Sequence, residues 1–183
     1  MELISDRILL YHHGRMKARN FVLDVSIGEA RSQAIAYIGI SHKSSGKVSD
    51  YLVRKGFSRE TAADVISGLI SDGYIDDLRV ARSLMQVRRG RKAEAKRALL
   101  LRMRQAGISE CAIAEAEQII PEDEDTIAEL LDGKVMPELQ RQLSQDSFDA
   151  DVWMNKAVRF LISRGYSSTL SLDTLRKWIR DVK

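Results

Sequence analysis

The sequence predicts an all-α protein built from tandem three-helix units, helix-turn-helix in character, preceded by a short N-terminal segment read as β. Three observations carry this. One pattern is written three times: LVRKGFSRE from Leu52, MRQAGISEC from Met103 and LISRGYSST from Leu161. Each has an apolar residue, three further positions, then Gly, a large apolar residue and Ser, and internal similarity of this kind constrains architecture directly. Pro occurs only at Pro121 and Pro137 while Ala, Leu, Arg, Lys and Glu are abundant, which favours helices. Apolar residues also recur at helical spacing between the repeated stretches, as at Ala62, Val65, Ile66, Leu69 and Ile70.

The repeated stretch has a physical reading. A Gly just past a helix takes the left-handed conformation without steric cost, and the next residue then packs on the one five positions earlier. The pairs are Phe57 with Leu52, Ile108 with Met103 and Tyr166 with Leu161, all apolar. Ser58, Ser109 and Ser167 follow as caps for the next helix. Each copy is therefore a helix, a pinned turn and a second helix.

In chain order, residues 1–30 form the N-terminal segment. The alternation of Phe21, Leu23, Val25 and Ile27 predicts a strand or small hairpin around His13 and Gly14. The first unit spans 31–75, with helices over Ala34–His42, Ser44–Lys55 and Ser58–Asp72. Gly73, Tyr74, Asp76 and Asp77 supply another stop, pin and acidic cap. The second unit, 76–121, runs from Leu78 with an interruption at Gly90, resumes near Lys92, and ends with Ser109–Ile120 before Pro121. The third, 122–183, starts near Asp125, breaks at Gly133 and Pro137, and closes with Leu172–Val182.

Charge is unevenly placed. Between Leu78 and Gly107 stand Arg79, Arg82, Arg88, Arg89, Arg91, Lys92, Lys96, Arg97, Arg102 and Arg104 against the single acid Glu94. From Glu110 to Asp132 there are acids and no Lys or Arg. Such asymmetry bears on partners rather than on fold. A single cysteine, Cys111, excludes an internal disulfide and fits a reducing compartment. No apolar run is long enough to span a bilayer, and the N-terminus lacks the order of a secretory signal, so a cytoplasmic location is expected, with a monomer as the default state.

The enzyme classes find no motif. Pro121–Asp125 lacks the Gly and ligand alternation of a calcium loop, and His12, His13 and His42 have no metal spacing. The Gly-Lys of Ser44–Ser49 lacks the upstream Gly of a phosphate loop, and Asp76 and Asp77 at a helix start read as caps. No catalytic residue, metal or cofactor is expected.

With these features set out, the chain resembles the RecX family, small bacterial regulators of the RecA recombinase, over roughly Ala34–Val182. The most specific part is GYIDDLRVA, Gly73–Ala81, supported by Gly56 and Phe57 after Leu52, by Arg88–Gly90, by Gly107 and Ile108 in AGIS, and by Gly165 and Tyr166. Val80 stands where the family usually has Phe, and Lys47 where it often has Glu. The resemblance implies tandem three-helix repeats in an elongated curved array. It also implies binding of the RecA filament on DNA, with inhibition of its ATPase, strand-exchange and co-protease activities in recombination, repair and the SOS response.

Partner contact is expected on the basic middle unit, at Arg79, Arg82, Arg88, Arg89, Arg91, Lys92, Lys96, Arg97 and Arg104. Arg82 and Arg89 lie seven apart, as do Arg97 and Arg104, so each pair would share a helix face. Arg102 falls nearer the packed side and would snorkel from it. The alternative is a DNA-binding helical-repeat protein not acting on RecA. Lys92-Ala93-Glu94-Ala95 reads poorly as a base-reading helix start. Contact with single- or double-stranded DNA would therefore be without sequence preference and salt-dependent.

Overall fold

A computed structural model describes residues 26–143 and 149–182. Its regular structure is helical: α1 (residues 26–38), α2 (Ser45–Arg54), α3 (Arg59–Ser71), α4 (Asp77–Val87), α5 (Lys96–Gln105), α6 (Glu110–Glu117), α7 (Asp123–Leu130), α8 (Met136–Leu143), α9 (Ala150–Ser163) and α10 (Ser168–Val182). A 3-10 turn, Gly90–Lys92, lies between α4 and α5, and a π turn, Leu131–Val135, joins α7 to α8.

The strand expected through Ile27 is not formed at its described end, residues 26 and 27. Residues 26–30 are helical, not strand. Ile27, Ala30, Ala34 and Ile38 follow helical spacing and turn into one core, so burial overrides the alternation that ended at Ile27. The rest of the expected hairpin, through Val25, lies outside the described residues.

The chain divides into two compact units, Met1–Asp77 and Leu78–Lys183. In the first, α1, α2 and α3 enclose Ala34, Val48, Leu52, Ala62, Val65 and Leu69. Ser44 caps α2 through a long bond from the Lys47 N–H, 3.4 Å. The cation at Lys47 removes the acid that would have completed a capping box. Asp77 supplies the missing carboxylate from elsewhere: its Oδ1 accepts from the Ser45 N–H at 2.8 Å and its Oδ2 from the Ser45 hydroxyl at 2.6 Å.

The second unit holds two apolar clusters. One gathers Ala81 and Met85 of α4, Leu99 and Met103 of α5, and Ile108, Ile113 and Ala116. The other gathers Ile127, Leu130 and Leu131 with Trp153, Leu161, Tyr166 and Leu175, and it also takes in Ala93 and Ala95 from the segment before α5.

The three turns close alike. Phe57 N–H donates to Leu52 O at 3.2 Å, Ile108 N–H to Met103 O at 3.1 Å, and Tyr166 N–H to Leu161 O at 3.3 Å. Ser58 and Ser167 accept from the N–H groups of Thr61 and Leu170, whereas the Ser109 side chain makes no capping bond. At the fourth stop Tyr74 is not the pin. It is 46% exposed while Ile75 is 2% exposed, because the N–H groups of both Tyr74 and Ile75 reach Leu69 O and turn Ile75 inward.

Two of the turn glycines have the same φ, +95°, but different surroundings. A Cβ on Gly56 would meet nothing within 4 Å, whereas one on Gly165 would stand 2.7 Å from Ala98 Cβ. Gly56→Ala should therefore lose only the backbone-strain term, about 1–3 kcal/mol. Gly165→Ala should lose at least about 1 kcal/mol more through overpacking, read as the larger drop in thermal midpoint.

Tyr166 is 2% exposed, and its hydroxyl donates to Thr126 Oγ1 at 3.1 Å. Burial pushes its ionisation up to about 12. The unfolded phenol ionises near pH 10, so the stabilisation is complete below pH 10 and is lost as pH rises through the folded value. Denaturant titrations between pH 9 and 12 should show the native protein losing roughly 2 kcal/mol more than Tyr166→Phe over that window.

Candidate functional site

The basic tract is built around its one acid. Residues 93–95 are not the start of a helix, because α5 begins at Lys96 and Ala95 is its extended N-cap. Ala93, Glu94 and Ala95 are all buried, and the Ala95 N–H donates to Arg164 O at 3.1 Å. The Glu94 side chain is 4% exposed. Its carboxylate accepts from Arg102 Nε at 2.5 Å and Nη2 at 2.9 Å, and from Arg88 Nη1 at 3.3 Å. Arg164 Nη1 stands 4.0 Å away. A buried carboxylate is costly unless charged donors surround it, and the forked guanidinium of Arg102 meets both oxygens. Its hydrogen bond to Glu94, and then the charge of that carboxylate, raise the Arg102 ionisation above its usual range.

Acids from outside the tract occupy more of it. The Lys96 N–H donates to Asp123 Oδ1 at 2.7 Å, and Lys96 Nζ stands 3.9 Å from Glu122. The Gly90 N–H donates to Glu129 Oε2 at 3.2 Å. Arg104 pairs with Glu110 at 3.2 Å. The acidic stretch from Glu110 to Asp132 thus partly neutralises the basic one within the same unit.

The structure sorts the expected partner residues accordingly. Arg88, Lys96 and Arg104 have carboxylate partners, and Arg79 is exposed. Arg82, Arg89, Arg91, Lys92 and Arg97 are exposed and lack an ion pair among the described residues. Arg97 and Arg104 are both on α5, but Arg82 and Arg89 do not share a helix: α4 ends at Val87 and Arg89 is extended, φ −114°, ψ 165°. The positive φ of Gly90, +55°, lets the chain leave α4 there. Arg91 packs along Gly133, where an added Cβ would meet its Cγ at 3.0 Å.

Two features escaped the sequence reading. Glu94 signalled itself as a lone acid between alanines amid cations, a pattern that fits a buried partner better than a solvated one. Arg164 carried no signal, since sequence proximity does not join it to the tract. Among the described residues no cluster of metal-binding side chains occurs, and no helix is long and apolar enough to cross a membrane.

Glu94→Gln should keep the shape and remove the charge. Because the arginines are partly exposed and can rehydrate, the expected loss is about 1–3 kcal/mol rather than the larger cost of a sealed pair. Equilibrium unfolding in urea checks this, and a loss within experimental error would show that the cluster adds nothing to stability.

No family model matches the chain. The regulatory protein RecX of Prosthecochloris aestuarii is 29% identical over 154 residues, covering 83% of this chain and 95% of the relative. That of Mycolicibacterium vanbaalenii is 28% identical, covering 80% of each. Among solved structures, RecX from Lactobacillus salivarius superposes with a TM-score of 0.66 at 15% identity, over 84% of this chain and 97% of that one. A second crystal structure, of regulatory protein RecX, gives 0.67 at 18%, over 85% and 74%. The all-helical fold is thus shared with these structures, and over most of its length the sequence is similar to those of these RecX regulatory proteins.

Proposed function

We propose that this protein binds the RecA recombinase filament on DNA and restrains its ATPase, strand-exchange and co-protease activities, acting in the cytoplasm without catalysis of its own. The observation that carries the reading is the set of cations left over once the internal pairs are counted. Arg89 and Lys92, at the joint between α4 and α5, and Arg97, on the first turn of α5, are exposed and have no acidic partner among the described residues. Unpaired charge of one sign destabilises its own unit and is suited to an acidic protein surface or to phosphates. The joint is also fixed from behind by the Glu94 cluster and by Glu129, so its cations are presented from a restrained backbone. Lys92, Ala93, Glu94 and Ala95 do not offer a helix tip for reading bases, which favours filament binding over sequence-specific DNA recognition.

The test is the ATP hydrolysis rate of the cognate RecA on single-stranded DNA, with the protein titrated well below stoichiometry. Arg89→Glu, Lys92→Glu and Arg97→Glu together should raise the half-inhibitory concentration about tenfold or more while leaving helicity unchanged. Arg88 is left intact because it serves Glu94. Undiminished inhibition by the variant would remove the contact from this joint. No inhibition by the native chain, alongside salt-sensitive DNA binding, would replace the RecA reading with sequence-independent DNA binding.

A further inference from the structure

A second cationic feature lies in the same unit but mostly outside the basic tract. Arg91 from the 3-10 turn, Lys134 and Val135 from the π turn, Pro137, Glu138 and Arg141 from α8, and Trp153, Lys156, Ala157 and Phe160 from α9 line a cleft of about 320 Å³. Trp153, Ala157 and Phe160 recur at helical spacing, so α9 turns one apolar face into it. The floor is closed: Val135, Trp153 and Ala157 are between 5% and 7% exposed. The rim is charged. Arg141 is paired with Glu138 at 3.0 Å, while Arg91, Lys134 and Lys156 have no ion pair among the described residues.

We propose that this cleft binds an acidic peptide segment of a partner protein, with one large apolar side chain seated over Val135, Trp153 and Ala157 and its flanking carboxylates on Arg91, Lys134 and Lys156. The proposal does not rest on the RecA reading. Charge complementarity selects an acidic occupant, since three unpaired cations surround an apolar floor and the one acid on the rim is already matched. The aromatic rings decide between a peptide and a nucleic acid. Base stacking needs an open ring face. Trp153 is 5% exposed, and Phe160 has Lys134 Nζ at 4.7 Å and Arg164 Cζ at 5.2 Å from its centroid, so its π-system is already engaged. What the floor offers is a shaped apolar seat, near the lower end of ligand-pocket size and suited to a single side chain.

The positions of the cations are built in rather than incidental. Arg91 is held against Gly133, and the 3-10 turn that carries it is tied by the Gly90 N–H to Glu129. Phe160 connects to the Glu94 cluster through Arg164.

The chain has two tryptophans. In a Trp178→Phe background, Trp153 alone reports from the cleft floor. The probe is a synthetic heptapeptide of Glu and Asp around a central Phe, titrated against its central-Ala version and against oligothymidylate. Supporting results would be a saturable change in Trp153 emission with the Phe peptide, weakening about tenfold or more with Lys134→Glu plus Lys156→Glu, and clearly weaker binding of the Ala peptide. Lys156→Glu alone, a change at an exposed position, should weaken binding severalfold even if the double variant fails to fold. No emission change up to millimolar peptide would overturn the proposal, as would binding indifferent to Lys156→Glu. Oligothymidylate producing the same Trp153 change more tightly than the peptide would overturn it in favour of a nucleic acid.

Discussion

The second unit depends on one carboxylate. Glu94 is buried in an extended segment, where an ionised group without partners could not be held. Satisfying it takes Arg88 from beyond α4, Arg102 from α5 and Arg164 from the end of α9, so three parts of the chain must arrive together. The same approach brings the Ala95 N–H to Arg164 O and sets Gly165 beside Ala95 and Ala98, leaving no space for a larger residue at that turn. Small residues on both sides and a shared charge cluster are consequences of a single packing decision.

A related arrangement recurs at the middle helices. The first residue of α4, Asp77, accepts from the N–H of the first residue of α2, Ser45. The first residue of α7, Asp123, accepts from the N–H of the first residue of α5, Lys96. In both cases a helix whose own cap is weak or absent is completed by an acid about thirty residues later, which satisfies an orphan donor and suits the positive end of the helix dipole. The extreme polarity of charge along the chain therefore has a structural use. Glu110, Glu122, Asp123 and Glu129 of the acidic stretch meet the basic one inside the unit, while Arg82, Arg89, Arg91, Lys92 and Arg97 remain exposed without an ion pair among the described residues.

Those from Arg89 onward separate into two sets with different surroundings. Arg89, Lys92 and Arg97 lie around a restrained joint, whereas Arg91 turns toward Gly133 and joins Lys134 and Lys156 over an apolar floor. One run of cations in the sequence thus contributes to two surfaces, because Arg91 of that run lies against Gly133 and lines the cleft.

Local physics made part of this legible from the sequence. The turns at Gly56, Gly107 and Gly165 were readable because a left-handed Gly, an apolar pin and a helix on each side are all specified within a few residues. Helix content followed from composition and spacing for the same reason. Where several local solutions compete, the sequence did not decide: Tyr74 and Ile75 are both apolar, and only the core of the first unit selects Ile75. Nor could Arg82 and Arg89 be separated from sequence alone, since the seven-residue interval says nothing of a helix that stops at Val87. The sequence by itself determined the class of fold, the repeated turns and the existence of opposed charges. Tertiary structure decided which charges neutralise one another, because ion pairing depends on distance through space, and Glu94 with Arg164, seventy positions apart, meets that condition while its neighbours in sequence, Lys92 and Lys96, do not pair with it.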